Sequence, residues 1–226
     1  MKILKRILLF IFILVLAFTG YVWYANRNVK NMTFRQKILK TVYPAFMWIS
    51  KKTGKRSQVF SNNEKQPITS FYALYSVLNN GDTFHFETLK GKKVLLVNTA
   101  SNCGFTNQYD DLQTLYENNK ERLVVLGFPA NDFKNQESGT DAEIAKFCKQ
   151  NFGVSFPLMQ KSIVIPIAHQ NPVYQWLTDS TKNGWNNKPP SWNFSKYLIN
   201  ENGVLVDYFG PAVSPTDEAL LNAIKQ

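Results

Sequence analysis

The chain has 226 residues, 44% of them hydrophobic and 19% charged, which is enough to bury one core of ordinary size and too apolar for a disordered protein. The net charge of +10 is unevenly spread. Residues 1–69 hold 13 of the 26 Lys and Arg and a single acid, Glu64, leaving 13 basic against 15 acidic residues in 70–226. A nucleic-acid-binding fold carries its basic patch on the fold itself, so nucleic acid is not an expected partner. A basic segment next to an apolar one suits an anionic membrane surface instead. Two cysteines and two histidines, Cys103, Cys148, His85 and His169, are too few for a disulfide framework and lack zinc-ligand spacing. No metal and no cofactor are expected.

Residues 1–6 form a short basic flank, and residues 7–25 run without a charge. As a helix that run spans a bilayer core, with Tyr21, Trp23 and Tyr24 at its far interface. A cleaved signal peptide is the competing reading, and the apolar residues that continue past Val15 and Ala17 fit its cleavage pattern poorly. The expectation is therefore a single-pass N-terminal membrane anchor. Basic residues on both flanks leave the side of the main body open. Residues 26–69 read as a basic juxtamembrane segment and linker. Within them, residues 33–53 predict an amphipathic helix interrupted near Pro44, lying on the membrane or docked on the domain, and residues 54–68 are polar.

The main domain is placed at 70–226. Residues 71–74 and 83–86 predict short strands around the Asn79-Asn80-Gly81-Asp82 turn. Residues 94–99 (VLLVNT) and 123–128 (LVVLGF) predict buried strands, joined by a helix carrying Tyr109, Leu112, Leu115 and Tyr116. Thr140 and Glu143 make a capping box that opens a helix with Ile144, Phe147 and Cys148 inward. Residues 197–200 and 204–208 form a hairpin, and 214–218 opens a last helix with Leu220, Leu221 and Ile224 inward. Strands joined by a helix run parallel with a right-handed crossover, while the hairpin adds antiparallel strands. The predicted fold is thus α/β: a thioredoxin-like mixed central sheet flanked by helices, preceded by a transmembrane helix.

Cys103 falls where a buried strand meets a helix. Free N–H groups and the helix dipole there favour a thiolate, so its pKa is expected to fall. A dithiol oxidoreductase would repeat the cysteine three residues later, where this chain has Thr106. A lone attacking thiolate follows. No histidine lies nearby in sequence as a base, and only distant His169 keeps a cysteine-protease reading open.

Three separated stretches, VNTASNCGFTNQYDDLQTLYE (97–117), LVVLGFPANDFKNQESG (123–139) and WNFSKYLINENG (192–203), resemble the signatures of the glutathione peroxidase family in the family's order. EIAKFC followed by FGVSFPL fits as well, and the resemblance spans roughly 70–226. It implies a catalytic tetrad of Cys103, Gln136, Trp192 and Asn193, whose amide and indole donors would stabilise a thiolate and the departing oxyanion. The reaction it implies is reduction of hydrogen peroxide and organic or lipid hydroperoxides through a Cys103 sulfenic acid. Cys148 matches the resolving cysteine of relatives that use thioredoxin, although a core cysteine on the same apolar face would look alike. A thioredoxin-like protein or glutathione is the implied reductant. Only 15 residues separate Trp176 from Trp192, resembling monomeric members with open sites, so a monomer is expected. Ala130 and Asp132 depart from the cysteine and glutamine common in relatives but lie outside the tetrad. A membrane-anchored redox sensor or relay is the alternative, and an inactive interaction module is disfavoured by the complete tetrad.

Overall fold

A computed structural model describes residues 2–30, 32–53 and 58–226. Its strands are β1 (Val59–Ser61), β2 (Tyr75–Val77), β3 (Thr83–His85), β4 (Lys93–Thr99), β5 (Leu123–Pro129), β6 (Lys196–Ile199) and β7 (Leu205–Phe209). Five of them form a central mixed sheet in the order β1-β7-β6-β4-β5, while β2 and β3 make a separate hairpin. β4 runs parallel to β5 and antiparallel to β6. Every residue of β4 is buried, and period-2 alternation sends its side chains into two cores. Leu95 and Val97 face α3 (Gln108–Asn119), α4 (Asp141–Phe152) and α7 (Glu218–Lys225). Val94 and Leu96 face Phe71, Phe86 and the residues of α5 (Pro172–Leu177). This is the thioredoxin-like arrangement expected, with a short α6 (Ser180–Asn183) added.

Local chemistry sets the element ends. Thr140 and Glu143 cap α4 reciprocally, and Gly153 closes it in the left-handed region at φ 63°. Gly127 in β5 cannot carry a side chain, because a Cβ would lie 2.6 Å from Leu158 Cδ2. The bare backbone lets residues 157–159 pair with it. The last helix opens later than expected, with Asp217 as its cap.

Three expectations change, and an alternative left open is decided. Residues 71–73 form a 3-10 turn rather than a strand, because the Ser70 hydroxyl accepts the Tyr72 N–H and bends the chain. The stretch read as a linker contains β1, an edge strand paired with β7, while residues 54–57 of that stretch lie outside the described residues. The juxtamembrane helix α2 (Phe34–Thr53) continues through Pro44. Proline removes one N–H donor, and Asn107 Nδ2 supplies the missing hydrogen bond, donating to the Lys40 carbonyl at 2.9 Å. Of the two placements weighed for α2, its inner face docks on the domain: Tyr43 is buried, Phe46 meets Phe105 with ring centroids 5.4 Å apart, and Gln36 Nε2 donates to the Ser101 carbonyl at 2.9 Å. Helix α1 (Lys2–Ala25) is long and apolar enough to cross a membrane. Its end packs on α2 through buried Val22 and the Asn26 amide, which donates to Thr41 Oγ1 at 2.9 Å.

Candidate active site

Cys103 lies in the loop between β4 and α3 and is 1% exposed. Its N–H donates to Thr106 Oγ1 at 3.0 Å, and that hydroxyl sits 2.8 Å from the carbonyls of both Ala100 and Cys103. The residue standing where a second cysteine would complete a dithiol therefore pins the loop. The Phe105 N–H donates to Cys103 Sγ at 3.4 Å, and the side chains of Trp192 and Asn193 lie close enough to the sulfur to favour its thiolate.

Burial nevertheless raises the Cys103 pKa, because desolvation outweighs the donors of Phe105, Trp192, Asn193 and Gly104. The expected fall is corrected on this point: a strand-to-helix junction predicts exposed N–H groups, but it does not predict a cover. Here α2 lies over the loop, and Gln36 ties the two together.

Gln136 joins the cluster indirectly. Its Oε1 accepts from Asn193 Nδ2 at 3.0 Å, and its own carbonyl accepts the Asn102 N–H at 3.0 Å. Of the four expected residues, Trp192 and Asn193 thus reach the sulfur, whereas Gln136 orients Asn193. The Asn193 Oδ1 atom is buried and has no partner among the described residues. Cys148 is 0% exposed on α4, with its pKa pushed up to about 12 by burial. Both cysteines are free thiols in one core cluster.

Three further residues shape the site without a motif of their own. Asn98, near the end of β4, donates through Nδ2 to the Trp192 carbonyl at 3.1 Å and accepts the Ser195 N–H at 3.0 Å. It brings the 192–195 loop beside Cys103. Phe194 takes a positive φ of 69° there, a conformation that bulky residues rarely adopt. Lys196 Nζ holds it by donating to the Phe194 carbonyl at 2.8 Å and the Val213 carbonyl at 2.6 Å. Burial lowers the Lys196 pKa to about 7. Glu137 Oε2 accepts the Ser101 N–H at 2.9 Å and the Ser101 hydroxyl at 3.1 Å, and burial raises its carboxyl to about 7. A polar residue inside an apolar strand, as in VNT, was the one sequence signal for Asn98. Glu137 and Lys196 carried none beyond being charged.

A thioredoxin-like sheet that carries a lone cysteine at the end of its central strand defines a thiol-dependent oxidoreductase. Residues 71–178 match the glutathione peroxidase family. Glutathione peroxidase-like peroxiredoxin gpx1 of Schizosaccharomyces pombe is 44% identical over 149 residues, which are 66% of this chain and 93% of that protein. Glutathione peroxidase homolog BsaA of Staphylococcus aureus (strain MW2) is also 44% identical over 149 residues, 66% of this chain and 93% of its own length. The crystal structure of T. cruzi GPX1 aligns at 30% identity with a TM-score of 0.52, over 70% of this chain and 97% of that one. The chain belongs to the glutathione peroxidase family, and it is a peroxidase.

Proposed function

We propose that the chain reduces hydroperoxides with Cys103, is resolved by Cys148, and draws its electrons from a thioredoxin-like protein or glutathione. The observation that carries this reading is the convergence of the Phe105 N–H and the Trp192 and Asn193 side chains on one buried sulfur. The Cys103 sulfur attacks one peroxide oxygen, the O–O bond breaks, and the thiol proton ends on the departing alkoxide. The products are a sulfenic acid and an alcohol, or water from hydrogen peroxide. Donors already aimed at the sulfur favour charge there as the thiol ionises. The unpartnered Asn193 Oδ1 is an acceptor suited to an incoming peroxide hydroxyl. Cys148 then displaces hydroxide from the sulfenic sulfur, which leaves as water, and a dithiol or two glutathione thiols reduce the disulfide. Catalysis by a monomer held at a membrane through α1 completes the reading, with oxidised lipid among its substrates.

Peroxide consumption by the full chain in detergent, with a thioredoxin system or with glutathione, tests these roles. Cys103→Ser is expected to abolish turnover. Cys148→Ser is expected to consume one equivalent and stall with thioredoxin. Full turnover by Cys103→Ser would sink the reading, and unchanged thioredoxin-dependent turnover by Cys148→Ser would remove the resolving role. The resting burial of Cys103 favours one second reading, a redox relay that passes oxidation to a partner. A stable mixed disulfide with slow turnover distinguishes it.

A further inference from the structure

Helix α2 lies outside the family-matched residues 71–178, yet it borders Cys103 on one flank and shapes the approach on the other. On the first flank Met32, Gln36, Leu39 and Lys40 close against Cys103 around a void of about 10 Å³, room for one water at most. A peroxide cannot approach there without displacing the helix. On the other flank a cleft of about 430 Å³ has Gly104, Gln136 and Trp192 in its wall, three residues from the immediate surroundings of Cys103. That volume falls in the range of small-molecule sites. It greatly exceeds the need of hydrogen peroxide, a molecule not much larger than a water of roughly 30 Å³. Three aromatic rings stand in its wall, Phe105, Trp192, and Phe46 projecting from α2 onto Phe105, with Ser191 and Pro211 completing it.

We propose that Phe46, contributed by the juxtamembrane helix, is a specificity-determining residue that completes an apolar subsite for the organic body of a hydroperoxide beside Cys103. The proposal rests on the thiol-peroxidase reading above. Phe46 touches the part of the substrate that does not react. Its contribution therefore separates peroxides with an apolar body from hydrogen peroxide, which has none. A purely structural Phe46, serving only to dock α2, would affect both substrates alike.

The test compares kcat/KM for cumene hydroperoxide and hydrogen peroxide in the full chain and its Phe46→Ala and Phe46→Leu variants. In Phe46→Ala the cumene hydroperoxide value is expected to fall about tenfold, the scale on which an apolar pocket contact discriminates, with the hydrogen peroxide value within about twofold of wild type by the same argument. Phe46→Leu keeps an apolar contact on Phe105 and is expected to show a smaller fall with the same substrate bias. It carries the test where the alanine variant loosens α2. Equal losses on both peroxides in Phe46→Leu, or no change on either, would overturn the proposal and leave the thiol-peroxidase reading standing. Consumption of neither peroxide by wild type would overturn both.

Discussion

Glu137 shows how one residue at the site ties chemistry to stability. Its buried carboxyl bonds to Ser101, two residues before the nucleophile, and keeps its proton in the fold up to about pH 7. The unfolded chain releases that proton at the ordinary value of 4.5. A pKa raised by folding stabilises the fold fully below the unfolded value, and the contribution fades as pH rises through the folded one. Wild type should therefore lose up to about 3 kcal/mol between pH 4.5 and 7, since a tenfold change in proton affinity on folding is worth about 1.4 kcal/mol. Lys196 works in the opposite sense, because its lowered pKa makes stability rise above about pH 7. Asp110, Asp111, Asp132 and Asp207 are also raised by burial, so the difference between wild type and a Glu137 variant across the window from 4.5 to 7 isolates Glu137. Glu137→Gln keeps an acceptor but cannot ionise, so its urea midpoint should fall less steeply across that window than the wild-type midpoint. Parallel curves would show that Glu137 titrates normally. Cys103, Trp192 and Asn193 could be read from the sequence because their chemistry is written in their residue types and surrounding motifs. Asn98, Glu137 and Lys196 could not, because each owes its role to partners distant in the chain.

Helix α4 carries Cys148 fully buried among core side chains, so the resolving role proposed for it predicts that the helix opens before a disulfide with Cys103 forms. On that prediction the opening free energy sets the rate of the proposed resolving step. Replacing Thr140 with alanine removes the capping box and costs such a helix about 1 kcal/mol. Because the Thr140 side chain bonds to Glu143 and not to either cysteine, Thr140→Ala should raise the open population, and with it the rate of disulfide formation after one equivalent of peroxide, by about fivefold. A gel-shift time course of free thiols reads that rate directly, and an unchanged rate would mean that α4 need not unwind. The elements read correctly from sequence were those that burial marks with a continuous apolar run, such as β4 and β5, or with a helical period and a cap, such as α4. Residues 71–74 misled because Phe71 and Leu74 are apolar while the bend depends on a single Ser70 hydroxyl. β1 stayed hidden because an edge strand of three residues, VFS, has too few side chains to display a pattern. Pro44 reads as a break unless Asn107, far along the chain, is known to satisfy Lys40.

Across the whole molecule, charge and hydrophobicity are segregated, and α2 sits at the boundary. Its inner face holds the domain through Gln36, Tyr43 and Phe46. Phe34, Trp48 and Ile49 remain exposed on other faces, and Lys52 lies over the Trp48 ring at 4.2 Å. Aromatic side chains among lysines suit the headgroup layer of a bilayer. Thirteen basic residues against one acid in the first 69 residues add electrostatic attraction to anionic lipid, worth about 1 kcal/mol for each basic residue near the surface. Helix α1 and the α2 face should therefore act as two separate contacts with the membrane. A chain lacking residues 2–25 should still bind phosphatidylserine-containing vesicles at low ionic strength and leave them at high salt, as screening shortens the reach of the charges. It should bind neutral vesicles weakly. Replacing Trp48 and Ile49 with serine should weaken vesicle binding further while peroxide consumption in solution persists, because neither residue borders the cleft beside Cys103. Failure of the shortened chain to bind any vesicle would assign membrane association to α1 alone and leave α2 as part of the enzyme.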